Sequence, residues 1–76
     1  PPPSDFEDVM ADKWIFTPAG KAAYYQQDKH IYTQNGKCEY WVQDNYVYPM
    51  NGGNPQYYIQ DGWFYTLNGK PAYYYG

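Results

Sequence analysis

Large aromatic side chains recur along this chain every eight residues, and polar turn residues fall between them. Aligned on the leading ring, the series runs Phe16, Tyr24, Tyr32, Tyr40, Tyr48, Tyr57, Tyr65 and Tyr73, with a single nine-residue step from Tyr48 to Tyr57. Two octamer types alternate. Tyr32 to Glu39 (YTQNGKCE) is echoed from Phe16 and from Tyr65, while Tyr24 to Ile31 (YYQQDKHI) is echoed from Tyr40 and from Tyr57. The unit is therefore about sixteen residues long and occurs four times. An internal repeat of this kind governs the fold that the chain can adopt.

The residues between the rings turn the repeat into hairpins. Asn35-Gly36, Asn51-Gly52 and Asn68-Gly69 suit the positive φ of a two-residue type I′ turn, and Ala19-Gly20 holds the matching place. Asp28-Lys29, Asp44-Asn45 and Asp61-Gly62 mark the intervening turns. The runs between are rich in Tyr, Trp, Phe, Ile, Val and Thr, which suit pleated backbone. Strands are expected over 14–18, 21–27, 30–34, 37–43, 46–50, 54–60, 63–67 and 70–76, with Gly53 as a bulge glycine. The fold class is thus all-β, an antiparallel meander of about eight short strands in four tandem hairpins, curled or closed into a small barrel. Residues 14–76 form this domain. Residues 1–13 differ: Pro1-Pro2-Pro3 is extended, and Ser4 with Glu7 has capping-box spacing for a short helix, the alternative being an acidic tail.

Side chains alternate along strands, so two-residue turns assign every residue to a face. Ile15, Thr17, Ala22, Tyr24, Ile31, Thr33, Cys38, Tyr40, Val42, Val47, Tyr57, Ile59, Phe64, Thr66, Tyr73 and Tyr75 fall on one side, read as core. The other side interleaves Gln and Lys with Trp14, Phe16, Tyr25, His30, Tyr32, Trp41, Tyr46, Tyr48, Tyr58, Trp63, Tyr65 and Tyr74. The register pairs Trp14 with Tyr25, Tyr25 with Tyr32, His30 with Trp41, Trp41 with Tyr48, and so on through Trp63 and Tyr74. A continuous ladder of rings is expected across the sheet.

Composition narrows the function. Of 76 residues, 24% are aromatic and 17% charged, too aromatic for a linker and too polar for a membrane span. Titratable groups are too few for a catalytic constellation, so no catalytic residues, metal ligands or cofactors are assigned. A formal charge of −3 argues against direct nucleic-acid binding. Cys38 is the single cysteine and reads as a core filler; His30 reads as a polar member of the ladder; the recurring Asp residues are explained by turn chemistry rather than by a metal. What remains is recognition, the alternative being a purely structural β-repeat whose rings hold the sheet together. Rigid rings flanked by amides suit proline-rich peptide in polyproline II form, or a sugar or choline stacked on ring faces. The residues expected to bind are Trp14, Tyr25, Tyr32, Trp41, Tyr48, Tyr58, Trp63 and Tyr65.

The tyrosine-led octamer, the pairs Tyr24-Tyr25, Tyr57-Tyr58 and Tyr73-Tyr74, and the turn glycines resemble the octamer-repeat (OCRE) domain over residues 14–76. That resemblance implies a six-stranded antiparallel domain whose exposed tyrosines bind proline-rich tails of spliceosomal proteins, and a nuclear setting. The stretch Asp61 to Tyr75 (DGWFYTLNGKPAYYY) is also similar to choline-binding and glucan-binding repeats, which would imply a ligand of that class at a cell surface.

Overall fold

Alternating turns every eight residues produce a continuous up-and-down path, and that path closes on itself. The computed structural model describes residues 12–76. Eight strands follow in chain order: β1 (Asp12–Phe16), β2 (Ala22–Gln27), β3 (His30–Thr33), β4 (Cys38–Gln43), β5 (Tyr46–Pro49), β6 (Tyr57–Gln60), β7 (Trp63–Thr66) and β8 (Pro71–Tyr75). Each pairs antiparallel with the next, and β8 returns to β1 through Ile15–Tyr75 and Phe16–Tyr74, making a closed barrel. Closure removes the free edges that strands this short could not protect, and no covering helix is needed. The strand count is eight, not the six that the octamer-repeat resemblance implies. The expected N-terminal helix or tail lies outside the described residues, except that Asp12 and Lys13 belong to β1.

The interior is small and repeats with the sequence. Among the described residues Ile15, Ile31, Val47 and Phe64 are the buried ones, one from each unit and all on odd-numbered strands. Tyr24, Tyr40, Tyr57 and Tyr73 come from the even strands and pack against them, with Val42, Ile59 and Tyr75 beyond. Eight strands enclose just enough room for such side chains to fill. A residual cavity of about 10 Å³ lies between the aliphatic and tyrosine layers. That is room for one water at most. The expected core face is therefore the barrel interior.

The turns reach that result by a different route from the one the sequence suggests. At the Asn-Gly positions only the glycines have positive φ, 93° at Gly36 and 91° at Gly69, so these are not type I′ turns. The Gly36 N–H donates to the Thr33 carbonyl at 3.0 Å, and Thr33 pairs with Lys37 across a three-residue loop. Thr33 Oγ1 also accepts from the Lys37 N–H at 3.1 Å, and Thr17 and Thr66 repeat this arrangement with Lys21 and Lys70. A loop of that length offsets the strands by one residue. A bulge immediately removes the offset: Tyr32 opposes Cys38 while Ile31 opposes Tyr40, with matching irregularities at Phe16 and Tyr65. Two departures from the simple register cancel, and both faces of the strand bodies are as expected. The other turns carry Asp28, Asp44 and Asp61 at φ of 57°, 57° and 53°, a conformation that Asp tolerates well.

The third unit is the irregular one. Pro49 stands where the other units have Thr, so it offers neither the N–H nor the hydroxyl that ties the loop to the following strand. Pairing of β5 with β6 is limited to Tyr46–Tyr58 and Val47–Tyr57, and β6 begins at Tyr57 rather than Asn54. Gly53, φ 101°, lies in the loop and is not a bulge within a strand. Cys38 is half-buried beside this loop rather than a core filler.

Candidate functional site

In a closed barrel the second face of every strand looks outward, so the aromatic positions form a girdle around the molecule. The predicted binding residues are thereby split: Trp14, Tyr25 and Tyr32 lie on β1–β3, Trp41 and Tyr48 on β4–β5, and Tyr58, Trp63 and Tyr65 on β6–β7. All the expected cross-strand partners are present, His30 opposite Trp41 among them. Trp14 is 46% exposed, and the other seven are half-buried, because neighbouring rings cover one another.

Ring contact follows a rule with one exception. The outward ring of each even strand stacks on the ring of the next odd strand: Trp41 on Tyr48 at 4.6 Å and 18°, Tyr58 on Tyr65 at 5.3 Å and 25°, and Tyr74 on Phe16 at 5.7 Å and 30°. The equivalent pair in the first unit, Tyr25 and Tyr32, is a direct cross-strand neighbour without ring contact among the described residues. Tyr25 instead leans on Trp14 at 5.1 Å and 60°. The expected continuous ladder is therefore broken into separate stacks, each worth about 0.5–1.5 kcal/mol.

Where the stack is missing, a groove opens. It has a volume of about 620 Å³ and is lined by Trp14, Tyr25, Gln27, Tyr32, Thr33, Gln34 and Gly36. That is the size of a small-ligand or short-peptide site. Aromatic walls come from Trp14, Tyr25 and Tyr32, and amide donors and acceptors from Gln27 and Gln34. The Tyr25 phenol is raised above its ordinary pKa, first by burial and then by the nearby Asp12 carboxylate, a negative group beside the groove. Trp41, Tyr48, Tyr58, Trp63 and Tyr65 are not part of it.

A second depression of about 620 Å³ lies where the third unit departs from the repeat, between Cys38, Glu39, Tyr40, Pro49, Met50 and Pro55. None of these was among the predicted binding residues. The signal for them was present, as the nine-residue step and the Pro49 substitution for Thr. Among the described residues no helix is long and apolar enough to cross a membrane. No protein-family model matches this chain, and comparisons with curated proteins and with solved structures give no match.

Proposed function

We propose that this domain is a non-catalytic recognition module that binds proline-rich peptide by stacking on its outward aromatic rings. The observation that carries the reading is the open Tyr25–Tyr32 position, an unfilled ring slot in a girdle whose equivalent slots are stacked shut. In this reading a pyrrolidine ring takes the place of the absent aromatic partner, and the groove's amides, Gln27 and Gln34 (whose Nε2 also donates to the Ala22 carbonyl at 2.7 Å), bond the backbone carbonyls of a polyproline II strand, which has no internal hydrogen bonds of its own. The likeness to octamer-repeat domains points the same way and suggests RNA processing as the setting. A second reading, a choline-type ammonium, is favoured by the Asp12 carboxylate beside Tyr25, one of the three rings of the groove.

Titrating a proline-rich peptide into ¹⁵N-labelled protein should shift the amides of Trp14, Tyr25, Tyr32 and Gln34 first. Tyr32→Ala should weaken binding by about tenfold or more, as truncating a buried aromatic anchor does, while leaving the melting temperature close to that of the parent. Unmoved peaks at millimolar peptide would remove the peptide reading, and a response to choline instead would install the second.

A further inference from the structure

The four glycine loops of this barrel are not equally tied down. In three of them a threonine closes the loop. Thr17, Thr33 and Thr66 donate their backbone N–H to the carbonyls of Lys21, Lys37 and Lys70 at 2.8 Å, and their own carbonyls accept from Gly20, Gly36 and Gly69 at 2.8–3.0 Å. Each threonine hydroxyl also accepts from the N–H of the same lysine at 3.1–3.2 Å. In the third unit Pro49 removes both the N–H and the hydroxyl. Among the described residues, the one internal bond left in the loop is from the Gly52 N–H to the Pro49 carbonyl, at 3.1 Å.

The seams between strands are uneven in the same way. β1–β2 is joined by five residue pairs, β2–β3, β4–β5 and β6–β7 by four, and β3–β4 and β7–β8 by three. Two seams have only two pairs: Tyr46–Tyr58 and Val47–Tyr57 between β5 and β6, and Ile15–Tyr75 and Phe16–Tyr74 between β1 and β8. Opening a closed barrel at two seams divides it into two bodies. The two thinnest seams divide this one into β1–β5 and β6–β8, and the chain passes between those bodies once, through the loosely held loop 49–56.

We infer that two copies of this chain exchange β6–β8 through a straightened loop 49–56, forming a reciprocal dimer in which the β5–β6 and β8–β1 seams of each barrel join different copies. The closed monomer and the exchanged dimer share every strand pair and every core contact, so they differ only in the loop and in the entropy of association. Straightening the loop breaks the single Gly52–Pro49 bond. Pro49 and Pro55 favour the straightened form, since each fixes its own φ and holds the residue before it, Tyr48 or Asn54, extended. Gly52 and Gly53, at φ 91° and 101° in the bend, pass to extended backbone without strain. Exchange at any of the threonine loops would instead break three loop bonds and a seam of at least three pairs. Trp14, Tyr25, Tyr32 and Gln34 all precede the exchanged segment, so each barrel of the dimer keeps one whole groove and the dimer carries two.

The test is refolding from denaturant at micromolar and at millimolar protein, read by size-exclusion chromatography with light scattering. The micromolar sample should be monomer, and the millimolar sample should contain a dimer peak. Pro49→Thr restores the missing N–H and hydroxyl, and should lower the dimer-to-monomer ratio about tenfold or more, as two recovered hydrogen bonds per loop imply, without lowering the melting temperature. A dimer refolded from mixed ¹⁵N- and ¹³C-labelled copies then distinguishes exchange from surface contact. Isotope-filtered NOEs for Ile15–Tyr75 and Val47–Tyr57 should cross between copies, while those for Ile15–Tyr24 stay within one. Ile15–Tyr75 contacts confined to single copies would overturn the exchange, and so would a protein that stays monomeric at millimolar concentration. An unchanged dimer share in Pro49→Thr would overturn the hinge.

Discussion

Phe64→Ala should cost the barrel about 3–5 kcal/mol, about a third or more of its stability. Phe64 is 2% exposed, one of four residues that fill the barrel, and it touches the rings of Tyr57, Tyr73 and Tyr75 at centroid distances of 6.5, 6.4 and 4.9 Å. Truncating a buried Phe costs about 3–5 kcal/mol, because the transfer energy is lost and the cavity collapses poorly. A domain this small holds only about 3–10 kcal/mol in total. Ile31→Ala should follow at about 2–5 kcal/mol. Trp41→Ala, by contrast, removes an outward ring stacked on Tyr48 and should cost less than half as much. Chemical denaturation of the three variants measures this directly. Equal losses for Ile31→Ala and Trp41→Ala would contradict the assignment of inside and outside.

Stability should fall steeply in alkali, beginning near pH 10. Burial, then the neighbouring Tyr40 and Tyr73 phenols, push Tyr24 and Tyr57 well above the ordinary tyrosine range, and burial pushes Tyr75, whose hydroxyl donates to the Gln26 amide oxygen at 2.6 Å, up to about 12. A folded-state pKa above the unfolded one means that the native protein holds its protons longer. The associated stability is complete below the unfolded pKa of about 10 and is lost as pH climbs through 10 toward the folded values. Each such tyrosine can cost up to about 1.4 kcal/mol per pH unit in that window, and less for Tyr24 and Tyr57, whose partial exposure screens them. Melting temperatures from pH 8 to 12 should be flat at first and then drop. Tyr75→Phe should blunt the drop. A curve that declined evenly from pH 8 would point to a group other than these phenols.

Much of the fold is legible in the sequence, and the reason is redundancy. Four copies of one unit state the same hairpin four times, so the strand count, the antiparallel order and the two faces emerge even where single turns are ambiguous. The turns themselves were misread. Asn-Gly favours a two-residue turn in isolation, but Thr33 and its counterparts offer a hydroxyl and an N–H that stabilise a longer loop, and the adjacent bulge restores the register. The strand interiors were insensitive to this because the two offsets have opposite sign. Pro49 and the nine-residue step were visible as departures, although that they open a depression depends on hydrogen bonds across the sheet.

The candidate site was legible only in its residue types. The sequence by itself determined which side chains face outward and that most of them are rings, because alternation along a strand is a local property. It could not say that the ladder breaks between Tyr25 and Tyr32, since whether Tyr25 leans toward Trp14 or Tyr32 is a choice between two neighbours at similar distance, made by packing. Nor could it say that the girdle is divided around a closed surface, which follows from the pairing of β8 with β1 across nearly the whole length of the domain. The charge tells the same story. A net −3 describes the whole chain, but the placement of three lysines at one end and four aspartates at the other comes from the up-and-down path of the strands, which brings turns distant in sequence to a common end of the barrel.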